Sequence, residues 1–197
     1  VVDRAVANLL RIKFRLGLFE RSGSDSDPAV EDTRVFASAT ARRAALESIV
    51  LLKNEGGVLP LRRERIRSLA VIGPLAHAPY EQLGTWIFDG DPSRSVTPLD
   101  GIRQLVGDEV GIRHIPALET SRSRATASFP EAVDAARAAD ATVVFLGEES
   151  ILSGEAHCRA DIGLPGAQSA LVRMLRQSGK PLVAVVLAGR PLTLTDI

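Results

Sequence analysis

Cysteine, aromatic side chains, net charge and long apolar runs are all scarce in this 197-residue chain. Its single cysteine, Cys158, excludes an internal disulfide and a structural metal site built on thiolates. The 24 basic and 24 acidic residues cancel, which removes the electrostatic case for nucleic acid or an anionic membrane surface and favours neutral partners. The longest apolar run, Pro181 to Gly189, has strand length and falls well short of the roughly 20 residues of a membrane span. The chain opens at Val1 with no initiator methionine and no charged-then-apolar leader, so it is expected to begin inside a longer or processed protein. The only Trp and the only Tyr, Trp86 and Tyr80, fall in one polar stretch, Tyr80 to Ser95.

What is present is a composition 45% hydrophobic, enough for one domain with a sizeable core plus a smaller appendage. Val6, Leu9, Leu10 and Phe14 recur at helical spacing, and Gly17 stands where a C-terminal cap belongs, so residues 1–18 read as an amphipathic helix. Residues 21–30, with Ser22-Gly-Ser-Asp-Ser-Asp-Pro28 at their centre, read as a linker. A long Ala-rich helix is expected from Glu31 to Asn54, stopped by Gly56-Gly57. Apolar strands at 69–72, 111–115, 142–146 and 182–187 then alternate with helices at 98–106, 130–139 and 165–177. Continuous Val/Ile/Leu runs mean burial on both faces, and strands separated by helices mean an α/β fold with an open, mostly parallel sheet flanked by helices. Since the chain stops soon after the fourth strand, that sheet is expected to be incomplete at its C-terminal end.

In an open α/β sheet, sites gather beyond the carboxyl ends of the strands. The loop from Glu148 to Gly163 lies there after the third strand and holds Glu148, Glu149, Glu155, His157, Arg159 and Asp161. These residue types serve acid/base catalysis or a divalent cation, and their spacing matches no metal-binding loop. In the Tyr80–Ser95 stretch, Trp86, Asp89 and Asp91 suit a sugar, an aromatic face for the ring and carboxylates for its hydroxyls; a loop pinned by a buried Trp explains them equally. Asp89-Gly90-Asp91 has the start of a calcium loop without its later acidic ligands. Cys158 has no neighbour that compels a reactive thiolate.

Several words are more specific: Arg11-Ile-Lys-Phe-Arg-Leu-Gly-Leu-Phe19, Ser48-Ile-Val-Leu-Leu-Lys-Asn54, Leu59-Pro60-Leu61, Ala70-Val-Ile-Gly-Pro74 and Ala188-Gly-Arg-Pro-Leu192. In content and order they resemble glycoside hydrolase family 3, especially its bacterial periplasmic β-glucosidases. The resemblance implies that residues 1–20 are the last helix of an absent N-terminal (β/α)8 barrel and that 31–197 are the α/β sandwich domain. It also implies that Glu155 is the general acid/base, because Ser153-Gly154-Glu155 followed by Arg159, Asp161 and Leu164-Pro165 matches the family's acid/base word. Such a carboxyl protonates the departing glycosidic oxygen and then takes a proton from water.

Glu148 and Glu149 remain alternative donors. His157 and Arg159 either orient the carboxyl or touch a sugar hydroxyl, and for Arg159 an ion pair with Asp161 is the plainer expectation. The family's nucleophile word, Ser-Asp-Trp, and its barrel Lys-His word do not occur in this chain, so the resemblance implies half an active site, inactive alone. The substrate it implies is a β-glucoside or oligosaccharide, the partner is the barrel domain, no cofactor or metal is called for, and the location is periplasmic or secreted. The competing reading is a non-catalytic doubly wound module taking a nucleotide, flavin or other small ligand after Gly73-Pro74. That turn carries neither G-x-G-x-x-G nor a P-loop lysine word.

Overall fold

The computed structural model describes the backbone of residues 1–20 and 29–197, and side chains for 1–20 and 39–197. Most of the expected linker, residues 21–28, lies outside the described residues. Two compact units emerge, Val1–Lys53 and Asn54–Ile197.

The first unit holds α1 (Val2–Arg15) and α2 (Ala29–Ser48). α1 ends in a Schellman cap at the glycine the sequence marked: Gly17, at φ +64°, donates to Phe14 O at 3.0 Å and Leu18 donates to Lys13 O at 3.1 Å. α2 stops six residues before the expected Asn54. The Ser48 hydroxyl donates back to Ala45 O at 2.8 Å, and Ile49-Val50, two β-branched residues of low helix propensity, follow at once.

The second unit is a four-stranded parallel sheet. Its strands are β1 (Ser68–Ile72), β2 (Gly111–Ile115), β3 (Ala141–Gly147) and β4 (Leu182–Leu187), in spatial order β2-β1-β3-β4. Crossovers run through α3 (Pro98–Val106), α4 (Phe129–Ala138) and α5 (Gln168–Arg176). The period of two along each strand divides the core. Ala70, Ile72, Val144 and Leu146 meet Phe129, Ala132, Leu171 and Leu175 of α4 and α5, while Leu69, Val71, Val143 and Phe145 meet Leu99, Ile102 and Val106 of α3. Every residue of β3 is buried, which is why its sequence shows no polar alternation.

Helices on both faces and an order that reverses between β1 and β3 create a switch point at the carboxyl ends of those two strands. The loops leaving them, from Gly73 and from Gly147, are the ones the sequence analysis singled out. α5 starts at Gln168 rather than Pro165, because Gly166 at φ +62° leaves the helical region and the Gln168 side chain turns back to donate to Pro165 O at 3.1 Å. Among the described residues no helix is long and apolar enough to cross a membrane.

Candidate active site

β3 delivers Glu148 directly from the core, and the structure disposes of it there. Its side chain is 1% exposed, one oxygen pairs with Arg159 Nη1, and the other lies 3.3 Å from Arg190 Nε. That last contact is an ion pair whose atoms are not aligned for a hydrogen bond. Arg159 therefore pairs with Glu148, not with Asp161 as the sequence suggested; Asp161 Oδ1 instead accepts from Gly163 N at 2.8 Å. Spacing favours the neighbour two residues on, but only a buried carboxylate makes a guanidinium worth desolvating.

Glu149 is engaged as fully. It accepts from Ser121 Oγ at 2.7 Å and from Arg122 Nε at 3.0 Å, and its own N–H donates to Ser121 Oγ at 3.2 Å. Burial alone would raise its pKa, but the hydrogen bonds from Arg122 and Ser121 and the Arg122 charge outweigh it and hold the carboxyl below its usual range. Of the two alternative proton donors, one is locked in an ion triad and the other is kept ionised.

Glu155 differs. It is exposed on a turn between Ser153 and His157 and makes no hydrogen bond or ion pair with the described residues. The turn closes through His157 N to Gly154 O at 3.2 Å, with His157 Nδ1 3.0 Å from Ser153 O. His157 thus serves the turn itself. Gly154 at φ +114° and Ala156 at φ +62° flank the glutamate. A Cβ on Gly154 would stand 2.5 Å from Thr85 Cγ2 and 3.7 Å from Trp86 Cζ2, so glycine is required for the two loops to meet.

Three contacts bring the Tyr80–Ser95 stretch to this turn. Thr85 Oγ1 donates to Ser150 O at 2.7 Å, Ser150 N donates to Glu81 Oε2 at 2.5 Å, and the Trp86 ring edge lies against Gly154. Trp86 is 65% exposed and Phe88 92%, so the reading of a loop pinned by a buried Trp is overturned. Asp91 is a cap, accepting from Ser93 N and Oγ at 3.0 and 2.6 Å, whereas Asp89 is exposed and has no hydrogen bond or ion pair among the described residues.

Arg190, Gln168, Glu81 and Thr85 were not singled out as site residues from sequence. Arg190 had two legible signals, its place just past the carboxyl end of a strand and its position within the word Ala188-Gly-Arg-Pro-Leu192. Cys158 is free and exposed. Among the described residues no three His, Cys, Asp or Glu side chains converge as metal ligands would.

Two hollows lie near the sheet's carboxyl end. One of about 440 Å³ is bordered by Ile115, Leu118, Ser128 and Glu131, and one of about 390 Å³ by Arg122, Arg124, Arg159 and Asp161. Neither includes Glu155, and the arginines of the second are largely spent on Glu148 and Glu149. The free carboxyl and the exposed indole stand on open surface, and a surface of this kind becomes a cleft only against a second wall.

The model of the glycosyl hydrolase family 3 C-terminal domain matches residues 49–197. The chain belongs to glycoside hydrolase family 3. It is 37% identical over its whole length to a β-xylosidase of Formosa agariphila and 34% identical over 98% of its length to the periplasmic β-glucosidase of Salmonella typhimurium. It spans 28% of each of those relatives. Among solved structures, the β-glucosidase of Listeria innocua in complex with isofagomine aligns with TM-score 0.76 at 32% identity, covering 98% of this chain and 26% of that one. A family 3 exo-β-xylosidase bound to a xylobiose aziridine probe aligns with TM-score 0.73 at 34% identity, covering 82% and 20%. These matches confirm the α/β sandwich of family 3 and lend no support to the nucleotide- or flavin-binding alternative.

Proposed function

We propose that this family 3 chain supplies the general acid/base, Glu155, of a retaining β-glycosidase acting on terminal β-glucosyl residues. The observation that carries the reading is the contrast among the loop carboxylates: Glu148 and Glu149 are consumed by arginines, while Glu155 is exposed beside an exposed Trp and unpaired among the described residues. Retention needs a second carboxyl about 5–5.5 Å from the first. The nucleophile belongs to a barrel domain of a longer protein, whose wall closes over Glu155 and Trp86 and whose last helix is α1, with its unburied stripe of Val6, Leu9, Leu10 and Phe14.

In the first step Glu155 gives its proton to the glycosidic oxygen as the barrel carboxylate attacks the anomeric carbon. In the second it takes a proton from the water that releases the sugar. Trp86 and Asp89 border the departing portion of the substrate; His157 and Arg159 hold the loop. The relative named as a periplasmic β-glucosidase supports a periplasmic or secreted location.

The test uses the full-length protein. Glu155→Gln is expected to lower turnover of cellobiose by about 10²–10⁴-fold. It should spare glycosylation by 2,4-dinitrophenyl β-glucoside, whose leaving group needs no proton, and azide should restore turnover with β-glucosyl azide as product. Cellobiose turnover unchanged in Glu155→Gln would refute the assignment. A second reading, β-xylosides, is favoured by the β-xylosidase relative, and xylobiose hydrolysis exceeding that of cellobiose would establish it. The 197-residue chain alone is expected to hydrolyse neither.

A further inference from the structure

We infer that Arg190 is a positioning residue that sets the reach of Glu155, acting through the two carbonyls that bracket its turn; this rests on the acid/base reading above. Arg190 Nη2 donates to Leu152 O and, at 3.3 Å, to His157 O. Those carbonyls sit at the two feet of the turn Ser153–Ala156, so one planar guanidinium spans it. The arginine is aimed in turn by Glu148, whose Oε2 lies 3.3 Å from Nε.

Glu148 is one residue past β3 and nearly inaccessible, so it carries the rigidity of the sheet to the loop. Its other oxygen holds Arg159, which donates through Nη2 to Gly163 O at 2.9 Å and fixes the loop's far end. A single buried carboxylate therefore anchors both ends of the segment that presents Glu155.

The turn needs such an anchor. Ala156, at φ +62°, holds a conformation that L-residues avoid, and such strain persists only where the surroundings over-determine it. Glu155 itself is exposed and makes no hydrogen bond or ion pair with the described residues that would fix its position. Acid catalysis is sensitive to distance: the proton must be delivered within hydrogen-bond reach of one oxygen. Arg190 is the only described side chain that holds both feet of the turn at once.

The experiment is a double-mutant cycle in the full-length protein with Arg190→Met and Glu155→Gln, and Arg190→Lys as second variant. Arginine turns Nε to Glu148 and Nη2 to both carbonyls, whereas lysine has one ammonium and cannot serve the carboxylate and the turn together, so a lysine beside Glu148 preserves the ion pair while releasing the turn. For either Arg190 variant, kcat on cellobiose is expected to fall about 30- to 100-fold, the loss a misplacement of about 1 Å produces. KM for cellobiose should stay within about twofold, and kcat/KM for the dinitrophenyl glucoside, which reports the glycosylation step alone, should be nearly unaffected, because in that step a misaimed donor harms only the protonated departure. For the dinitrophenyl glucoside, kcat should fall with the misaimed base and recover with azide. In the Glu155→Gln background, Arg190→Lys should cost little more.

Equal losses of kcat/KM on the two substrates, wild-type cellobiose turnover in Arg190→Lys, or an undiminished Arg190 effect without Glu155 would each overturn the inference. If Glu155→Gln leaves cellobiose turnover intact, the acid/base reading itself has failed. A selective loss in Glu155→Gln with none in Arg190→Lys refutes only the role of Arg190.

Discussion

Replacing Gln168 by methionine isolates the polar connection that ties the site loop to the sheet. Gln168 is fully buried at the start of α5, and its amide bonds only to backbone: Oε1 accepts from Gly147 N at 2.8 Å, while Nε2 donates to Gly147 O at 2.8 Å, Ser121 O at 2.9 Å and Pro165 O at 3.1 Å. Methionine nearly matches glutamine in volume, so the change opens little cavity and removes only hydrogen bonds. The Gly147 N–H is left without its acceptor, at a cost of about 1–3 kcal/mol, and the carbonyls lose one donor each at a smaller cost. About 1 kcal/mol returns from burying the more apolar side chain. The net loss is about 2–3 kcal/mol, equivalent to roughly 5–10 °C in Tm for a unit of this size.

Urea unfolding followed by circular dichroism measures it, with hydrogen exchange at Gly147 as the local probe. The exchange measurement matters because Gly147 is where β3 hands over to Glu148. A loss below about 0.5 kcal/mol, with Gly147 still protected, would show that other groups satisfy the backbone there and refute the reasoning.

Two further perturbations have equally definite outcomes. Since the folded-state pKa of Glu149 is depressed, its contribution is present above the unfolded carboxyl pKa and is lost as pH falls through the folded one. Glu149→Gln should therefore be less stable at pH 7, by about 1–2 kcal/mol given that Arg122 is half exposed, and should lose less stability between pH 5 and 3 than the parent; parallel stability–pH curves would contradict this. Gly154→Ala should destabilise by about 1–3 kcal/mol in thermal unfolding, through the disfavoured φ and the contact with Thr85 Cγ2. Thr85→Ser should recover the steric part of that loss alone, and an undiminished deficit in the double variant would mean the two loops do not meet as described.

Much of the fold was legible because its signals are local. The unbroken apolar run of β3 implied burial on both faces, and burial on both faces by crossover helices implies a parallel sheet. Once the strand was read, the placement of Glu148–Gly163 at its carboxyl end followed. Gly17 marked the end of α1 by backbone conformation, a property of one residue and its neighbours. The end of α2 was misjudged because apolar residues continue past Ser48, and pattern alone does not register a hydroxyl returning to its own helix.

The chain's spacing and residue types by themselves determined the architecture, the neutral character of the surface and the segment where ionisable groups collect. Only the tertiary structure decided which of those groups is free. Glu148, Glu149 and Glu155 are the same side chain within eight positions, and what separates them is Arg159, Arg190, Ser121 and Arg122, three of which reach in from more than twenty residues away. Likewise Thr85 and Trp86 meet Gly154 because the strands before each loop are neighbours in the sheet. The physical reason is common to both. Hydrophobic burial is written in the period of the sequence, whereas the ionic and steric surroundings of a side chain depend on which distant segments strand order brings beside it.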